Sequence, residues 1–271
     1  MTPQRLAILI PCYNVAKTIG SVLDSFPKTM MDRVERVFAI DNCSSDQTLA
    51  ILHAYQRDLT KPWAPRLSVI ENSQNYGLGG SQKIGFGLLS EQGFTHVMIV
   101  HGDGQGDGGK IADNFLKALD AEPSVDVVVA SRFLVSGTTR GYSPLRVFAN
   151  KLFNLLTGIL TGCWMSDSGS GIELISLSFL RELQWHDLTN SFQFNPQLNI
   201  LFYSKKTAKI REVPLEWKDS EAGTNIRALR YCWQLLMILV QYRVNHILQS
   251  AQSVPALNDH AHDVRFDYRV F

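Results

Sequence analysis

Two polar stretches that follow apolar runs carry the side chains best suited to chemistry. Asp41 comes directly after the run VFAI, and Asp103 and Gln105 lie in HGDGQGDGG after the run THVMIV. A carboxylate such as Asp41 can accept hydrogen bonds from a ribose hydroxyl or from the imide N–H of a uracil-type base. Oxygen ligands such as Asp103 and Gln105 suit Mg²⁺ or Mn²⁺, which would neutralise charge on a departing nucleotide diphosphate. Each stretch could equally be an ordinary polar turn.

Arginines and one carboxylate mark a second candidate site. Arg132, in ASRF, ends an apolar run, and Arg140 and Arg146 bracket the loop that follows. Guanidinium groups offer fixed pairs of donors to phosphate, so the three could form an anion clamp; a surface role is the alternative for each. Asp167, in the turn SDSGSG, could be a general base, a substrate ligand or a plain turn carboxylate.

The apolar pattern predicts the scaffold for these side chains, an open parallel sheet covered by helices. Short, near-continuous apolar runs indicate strands that are buried on both faces. The predicted strands are 6–10, 37–40, 67–70, 97–100 and 125–130, and the predicted helices are 16–26, 46–57, 77–91 and 110–121. Ser45 or Asp46 is a plausible cap for the second helix. Reactive groups collect beyond the carboxyl ends of such strands, and polar residues lie at every predicted strand exit.

The alternation ends after residue 131, but the density of apolar residues does not change. A loop leads to a predicted helix at 145–160, the SDSGSG turn, a short strand IELIS and a further strand at 213–217. We therefore predict one domain over residues 1–224. A C-terminal helix at 225–248 and an irregular tail complete the chain to residue 271, and the tail is predicted to be a surface strap or partly disordered.

The predicted helix 225–248 has an apolar stripe at helical spacing with arginines beside it. The stripe consists of Leu229, Trp233, Leu236, Val240, Val244 and Ile247, and the arginines are Arg227, Arg230 and Arg243. Such a helix could lie on a membrane with its arginines toward anionic headgroups. Packing on the domain is the default alternative.

Composition excludes several classes of protein. The 271 residues carry 26 Lys and Arg against 25 Asp and Glu, so no positive field favours nucleic acid as a partner. The start lacks a signal-peptide core, and the longest apolar run, 235–240, is too short to span a bilayer, so we expect a cytoplasmic protein. Four scattered cysteines indicate free, mostly buried thiols. P-loop and dinucleotide-binding glycine motifs are missing.

Seven motifs, in order, resemble those of family 2 glycosyltransferases, in the dolichol-phosphate mannosyltransferase-like or polyprenyl-phosphate glycosyltransferase branch. They are LIPCYN, AIDNCSSDQT, NYGLGG, HGDGQ, ASRF, NKLFNLLTG with SDSGSGIELIS, and REVPLEW, over about residues 6–230. Each motif is weak alone, but their order and spacing make the resemblance specific. It implies a GT-A fold, a Rossmann-like, mostly parallel sheet flanked by helices. It also implies an inverting sugar transfer from a nucleotide diphosphate sugar with Mg²⁺ or Mn²⁺.

The resemblance also implies roles for individual residues. The nucleotide would be held by Pro11, Tyr13, Asn14, Asp41, Gly79 and Asp103. The metal would be held by Asp103, Gln105 and His101. Arg132, Arg146 and Asn150 would face the acceptor phosphate, and Asp167 and Ser170 would line the sugar or acceptor pocket. The catalytic residues would be Asp103, Arg132 and Asp167.

Three positions depart from the family pattern and bear on metal affinity and on the acceptor. His101 stands where many relatives have the first carboxylate of a DxD motif, and Asn42 stands where an acid is common. The stretch Phe194-Asn195-Pro196-Gln197 lacks the usual acidic pair. A neutral imidazole can ligate manganese or hydrogen-bond a phosphate, but it brings no negative charge.

Three functions are compatible with these residues. The leading prediction is sugar transfer from a UDP- or GDP-sugar to a polyprenyl phosphate, by a protein that lies peripherally on the inner face of the membrane. Such an acceptor is already anionic and needs arginines more than a general base. The alternative is a hydroxyl acceptor, a polysaccharide or small metabolite, with Asp167 as the base. A non-catalytic nucleotide-sugar-binding relative is the third, and the retained acids and arginines argue against it.

Overall fold

One eight-stranded sheet, with six parallel strands and two antiparallel ones, forms the centre of the computed structural model. The structure describes residues 4–136, 138–218, 228–247 and 266–271. The strands are β1 (Leu6–Cys12), β2 (Val34–Asp41), β3 (Leu67–Asn72), β4 (His96–Ile99), β5 (Val127–Ser131), β6 (Thr139–Arg140), β7 (Glu173–Ser176), β8 (Ile210–Pro214), β9 (Trp217–Lys218) and β10 (Tyr268–Val270). The order in the large sheet is β10-β3-β2-β1-β4-β7-β5-β8, and β6 pairs with β9 in a small second sheet. Within the large sheet β7 and β10 are the antiparallel strands.

Helices cover both faces of the sheet because strand side chains alternate between two apolar cores. The helices are α1 (Ile19–Ser25), α2 (Thr48–Arg57), α3 (Gly77–Glu91), α4 (Gly108–Ala121), α5 (Pro144–Thr161), α6 (Leu177–Leu180), α7 (Phe194–Ser204) and α8 (Ala228–Ile247). In β1, Ile8 and Ile10 face the core shared with α1, α2 and α4. Ala7 and Leu9 face the core shared with α3, α7 and α8. The predicted α/β architecture is therefore confirmed.

The element boundaries differ from the predicted ones for local reasons. α3 has the predicted bounds, and α5 starts at Pro144, a residue favoured in the first helical turn. α1 starts only at Ile19, and α2 starts at Thr48 after Gln47, so neither Ser45 nor Asp46 is its cap. The Asp46 carboxylate instead accepts hydrogen bonds from the backbone N–H of Thr48 at 2.9 Å and of Ala16 at 3.1 Å.

The predicted strand at 213–217 is wrong because that segment passes from one sheet to the other. β8 covers Ile210–Pro214, and the Leu215 N–H makes the last contact with β5, to the Ser131 carbonyl at 2.8 Å. The Trp217 N–H then donates to the Thr138 carbonyl, where β9 pairs with β6.

The tail ends in a strand, which corrects the prediction of an irregular strap for this part. β10 pairs antiparallel with β3, and Tyr268 lies opposite Asn72. A strand this short has too few residues to show a period, so its apolar pattern does not predict it. Residues 248–265 and the predicted boundary at 224 lie outside the described residues.

The face that α8 buries is not the predicted stripe. Leu235, Ile238 and Leu239 are buried in the core, whereas Trp233 is 62% exposed and Val244 45% exposed. The run LLMILV is apolar on every side, so the helical period alone does not select the buried face. The side chains of Leu229, Ile247, Arg227 and Arg230 lie outside the described part of the chain. No helix among the described residues is long and apolar enough to cross a membrane.

The four cysteines are free, as predicted, but only half of them are buried. Cys12 and Cys163 lie in the interior, whereas Cys43 and Cys232 are exposed.

Candidate active site

The candidate residues meet at one edge of the sheet. β1, β2, β4 and β5 end there, and Cys12, the last residue of β1, lies beside Asp41 in the register of β1 and β2. β7 runs in the opposite direction, so its beginning, which follows the SDSGSG turn, lies at the same edge. The topology thus brings Asp167 to the sheet edge that carries Asp41 and Asp103.

Asp41 is a buried carboxylate with one unsatisfied oxygen. Its Oδ2 accepts a hydrogen bond from the Ser44 N–H at 3.0 Å, whereas Oδ1 is buried and has no partner among the described residues. Burial raises the pKa of Asp41, which the hydrogen bonds of Ser44 partly offset. A buried oxygen without a donor is costly, and an N–H or O–H of a ligand would satisfy it.

Asn14 ties the loop after β1 to the loop after β2. Its backbone has φ 54°, a conformation that asparagine tolerates better than most residues. The Asn14 N–H donates to Ser44 Oγ at 3.0 Å, and Asn14 Oδ1 accepts from the Ser45 N–H at 2.9 Å. Pro11 is buried in β1 and Tyr13 is 39% exposed beside it. Asn14 therefore shapes the rim around Asp41, and the predicted nucleotide contacts of these three residues stay predictions.

Gly79 lies in the first turn of α3, where its surroundings require a residue without a side chain. A Cβ at this position would lie 2.6 Å from the Thr189 carbonyl oxygen and 2.6 Å from Phe194 Cβ. The structure thus gives Gly79 a packing role between α3 and the segment before α7. The nucleotide contact predicted for Gly79 stays a prediction.

The loop after β4 presents Asp103 and Gln105 but turns His101 inward. Asp103 Oδ1 accepts a hydrogen bond from the Gln105 N–H at 3.1 Å, which fixes the tight turn between them. His101 Nε2 lies 3.0 Å from the Gly171 carbonyl oxygen, so the neutral ring donates from Nε2 and keeps Nδ1 as an acceptor. Burial lowers the pKa of His101, so the neutral form dominates at pH 7.

Arg132 and Asp167 form a buried bidentate ion pair. Arg132 Nε donates to Asp167 Oδ2 at 2.7 Å and Nη2 donates to Oδ1 at 2.8 Å, while the Arg132 N–H donates to Oδ2 at 3.0 Å. Burial alone would lower the pKa of Arg132, but the charge and hydrogen bonds of Asp167 raise it above the usual value. Both carboxylate oxygens are engaged, so Asp167 is held as a fixed counter-ion.

Tyr142 links this ion pair to the start of α5. Arg132 Nη1 donates to Tyr142 Oη at 3.3 Å, and the guanidinium of Arg146 lies 4.1 Å from the centre of the Tyr142 ring. Asn150 Nδ2 donates to the Arg146 carbonyl at 2.7 Å along the helix. The structure therefore brings both predicted acceptor arginines to one aromatic residue that the sequence did not single out.

Two further predicted residues have different outcomes. Ser170 is buried, and its Oγ accepts a hydrogen bond from the Ile172 N–H at 3.5 Å, which is a contact within the turn. Its predicted acceptor role stays a prediction. Arg140 lies in β6, and its side chain is outside the described part of the structure.

This geometry agrees with the match of the sequence to a protein family. Residues 7–183 match the family model described as glycosyl transferase family 2. The chain is a family 2 glycosyltransferase.

Two curated relatives of this glycosyltransferase have names that contain polyprenol or dolichyl phosphate. The chain is 24% identical over 242 residues to polyprenol monophosphomannose synthase of Mycolicibacterium smegmatis. This alignment covers 82% of this chain and 80% of the relative. It is 23% identical over 250 residues to UDP-N-acetylglucosamine–dolichyl-phosphate N-acetylglucosaminyltransferase of Methanococcus voltae, with coverages of 88% and 97%.

Solved structures establish the fold of the glycosyltransferase. Glucosyl-3-phosphoglycerate synthase of Mycobacterium tuberculosis, solved with Mn²⁺, UDP and glucosyl-3-phosphoglycerate, has a TM-score of 0.60 and 16% identity over 92% of this chain and 82% of that chain. Mannosyl-3-phosphoglycerate synthase of Rubrobacter xylanophilus has a TM-score of 0.62 and 17% identity, with coverages of 95% and 79%. The predicted GT-A fold is confirmed.

The loop after β4 of the glycosyltransferase fits a divalent cation that arrives with the nucleotide. Magnesium is usually bound by one or two carboxylates together with substrate phosphates, and keeps several waters. Asp103 offers such a carboxylate and Gln105 an amide oxygen, whereas His101 Nε2 is directed at Gly171. No group of three His, Cys, Asp or Glu within the described ranges forms an all-protein metal site. The donor set therefore suits a cation shared with a diphosphate.

Asn42 explains one departure of the glycosyltransferase from the family pattern. Its Nδ2 donates to Asn75 Oδ1 at 2.8 Å, and its Oδ1 accepts from Asn72 Nδ2 at 3.0 Å and from the Tyr76 N–H at 2.9 Å. An ionised carboxylate has no donor and could not make the contact to Asn75. Asn42 thus joins the end of β2 to the loop between β3 and α3.

Glu173 is a buried carboxyl beneath the SDSGSG turn that sequence reasoning missed. Asn199 Nδ2 donates to its Oε1 at 3.3 Å, and its Oε2 has no partner within the described chain. Burial, together with the charge of Asp167, raises the pKa of Glu173 to about 8 despite the hydrogen bond from Asn199. Glu173 is therefore mostly protonated at neutral pH. In the sequence Glu173 is a single polar residue within the strand-like segment IELIS, and nothing in that segment indicates a buried carboxyl.

Proposed function

We propose that this glycosyltransferase transfers a sugar from a nucleotide diphosphate sugar to a polyprenyl phosphate at the inner face of a membrane. The observation that carries the proposal is the position of α5. This helix begins at the acceptor arginines and then presents an exposed apolar stripe along its length. One helix thus connects a phosphate-binding end to a face suited to lipid.

The stripe on α5 follows the helical period on the side away from the core. Its residues and exposed fractions are Leu145 (75%), Phe148 (64%), Leu152 (42%), Leu155 (48%) and Ile159 (56%). Trp233, Val240 and Val244 add exposed apolar side chains on α8, which packs against α5. A helix on the surface of a globular protein normally exposes polar side chains, so a patch of this kind indicates an interaction surface.

The charges of these two helices favour an anionic lipid surface. Neither α5 nor α8 contains an Asp or Glu residue. Lys151 and Arg243 are exposed cations on them. Basic side chains beside an apolar helix face are the combination that binds anionic membranes. We name the exposed residues of the stripe and its extension on α8 the α5–α8 face.

The donor would bind at the carboxyl ends of β1, β2 and β4. Asp41 Oδ1 would accept a hydrogen bond from the nucleoside, since it is buried and unpartnered among the described residues. Asp103 would hold Mg²⁺ or Mn²⁺ with the diphosphate, and the cation would offset the charge that develops on the leaving nucleoside diphosphate. Gln105 is the second oxygen ligand in this proposal.

The acceptor phosphate would bind beside Arg146 and Arg132, next to the Tyr142 hydroxyl that accepts from Arg132 Nη1. Asp167 holds the plane of the Arg132 guanidinium, and Tyr142 lies between the two arginines. An oxygen of the lipid phosphate would form the bond to the anomeric carbon while the bond from that carbon to the diphosphate oxygen breaks. The nucleoside diphosphate leaves with the electron pair, and no proton needs to be removed from the acceptor.

A hydroxyl acceptor is the second candidate function, and the ion pair argues against it. A general base must have a carboxylate oxygen within reach of the hydroxyl proton. Both oxygens of Asp167 accept hydrogen bonds from the Arg132 guanidinium, so neither is directed at an acceptor hydroxyl.

A transfer assay tests the proposal. The purified protein with Mn²⁺ is given UDP- and GDP-sugars, with undecaprenyl phosphate in vesicles or with soluble sugars and phosphoglycerate, and products are identified by mass spectrometry. We expect a glycosyl-phosphate lipid, and we expect Arg146→Lys to raise the KM for the lipid phosphate because lysine lacks paired donors. Turnover with soluble acceptors alone, or an unchanged KM, would reject the lipid phosphate.

A further inference from the structure

We infer that Tyr76 and β10 position the nucleotide, because they hold the loop between β3 and α3 that contacts Asn42, the neighbour of Asp41. The inference rests on the proposed nucleotide sugar donor. It assigns a function to the last described residues of the chain, which lie far from Asp41 in the sequence. We call residues 73–76 the nucleoside loop.

β10 and the residues before it hold the nucleoside loop through Tyr76. The Ser73 N–H donates to the Asp267 carbonyl at 3.0 Å, and the Asp267 N–H donates to Tyr76 Oη at 2.9 Å. Tyr76 Oη also lies 3.1 Å from Ser73 Oγ, and the rings of Tyr76 and Phe266 pack edge to face with 5.1 Å between centroids. Tyr76 is buried, so its hydroxyl is the polar centre of this contact.

The backbone N–H of Tyr76 contacts the residue next to Asp41. The Tyr76 N–H donates to Asn42 Oδ1 at 2.9 Å, and Asn42 Nδ2 holds Asn75 Oδ1 at 2.8 Å. Asn42 is the neighbour of Asp41 in the chain, and Asp41 Oδ1 is the buried acceptor that we assign to the nucleoside. Two consecutive contacts therefore connect β10 with the donor site, and neither contact involves the acceptor arginines.

The far end of the segment has its own attachment. The Phe271 N–H donates to the Val69 carbonyl at 2.8 Å, and Gln56 Nε2 donates to the Phe271 carbonyl at 3.0 Å. The Phe271 ring packs on His53 at 4.9 Å. The strand can therefore stay on the sheet when the Tyr76 hydroxyl is removed, which makes a selective test possible.

Tyr76→Phe is the test variant, since it removes the hydroxyl and keeps the ring on Phe266. We expect the Kd of UDP or GDP with Mn²⁺, measured by calorimetry, to rise about threefold to tenfold, the usual effect of one hydrogen bond. The KM for the nucleotide sugar should rise by a similar factor while kcat stays near the wild-type value, because the loop contacts no reacting atom. Asp267→Pro removes the other partner, the backbone N–H, and should give the same pattern.

Tyr55→Phe is the matched control. Tyr55 is also buried and its hydroxyl donates to Asp24 at 3.1 Å, but it lies on α2 in the other core. We expect its Kd for UDP or GDP to equal that of the wild type, whatever the change in Tm.

The possible results separate the two proposals. Weaker nucleotide binding in Tyr76→Phe and Asp267→Pro, but not in Tyr55→Phe, supports the positioning function. A lower Tm with unchanged Kd and KM in both test variants would show a merely structural contact and overturn the inference. Wild-type protein that binds neither UDP nor GDP would reject the proposed donor itself, and this inference with it.

Discussion

At the residue scale, the candidate site depends on a buried bidentate ion pair, and the same molecule has an exposed bidentate pair. Arg132 and Asp167 are buried, with side-chain exposures of 8% and 1%. Arg33 and Asp120 also make two hydrogen bonds, from Nη1 and Nη2, at the surface, with side-chain exposures of 37% and 57%. Comparing the two pairs shows how much more a buried bidentate pair contributes than an exposed one.

Asp167→Asn is expected to lower the free energy of unfolding by about 3–5 kcal/mol, because it leaves the Arg132 charge buried without its counter-ion. Asp120→Asn should cost less than about 1 kcal/mol, as is typical of exposed pairs. Urea unfolding of the two variants gives the comparison. Equal losses would mean that Asp167 contributes no more than a surface partner.

Asp103→Asn is expected to reduce Mn²⁺-stimulated transfer about 100-fold or more, since a neutral amide holds the cation weakly while the leaving charge develops. Its Tm should stay close to the wild-type value because Asp103 lies in a half-buried loop. Asp107→Asn is the control on the same loop. Asp107 caps α4 by accepting from the Lys110 N–H at 3.1 Å, and asparagine caps equally well. Normal turnover in Asp103→Asn would contradict the metal assignment.

Glu173→Gln is expected to stabilise the protein at neutral and alkaline pH. The native state keeps the Glu173 proton up to about pH 8, whereas an unfolded glutamate loses it near pH 4.5. The native state therefore binds more protons in this interval, and wild-type stability falls as the pH rises through it. Thermal unfolding across the interval should show a Tm gain for Glu173→Gln that grows with pH. The exposed Glu182, paired with Lys205, gives the control Glu182→Gln. Parallel Tm curves would contradict a neutral Glu173.

At the element scale, α5 and α8 make the membrane assignment testable. The wild-type protein should sediment with vesicles that contain anionic lipid, and salt should weaken this binding by screening the charges. Phe148→Asp together with Leu155→Asp should reduce sedimentation without lowering the Tm, because both side chains are exposed. Leu59→Asp is the control, an exposed leucine (78%) outside the α5–α8 face. If the pair of changes instead converts a dimer to a monomer, the face binds a second copy.

The sequence predicts the site residues that directly follow the buried strands. Apolar runs fix where β2, β4 and β5 end, so Asp41, Asp103 and Arg132 could be assigned to one edge. The buried face of α8 could not be predicted, because its apolar run offers more than one stripe. Tyr142 and Glu173 could not be recognised either, since their importance depends on neighbours that are distant in the sequence.

At the scale of the whole molecule, the sheet consists of two parts joined by β7. β4 and β5 do not pair with each other; β7 lies between them. Its pairs include His96 with Ser176 and Val127 with Ile175. The donor carboxylates lie on the β1–β4 part, Arg132 lies at the end of β5, and Asp167 lies in the turn that leads into β7.

The position of β7 has a consequence for how the chain is made. During synthesis β5 leaves the ribosome well before β7, so it has no sheet partner until about 45 more residues have been added. Contacts that span such distances form slowly. Until then the nascent chain exposes the edge of β4 and both edges of β5, and such edges are the surfaces that chaperones protect from aggregation. The ion pair of Arg132 and Asp167 joins the end of β5 to the turn before this late strand.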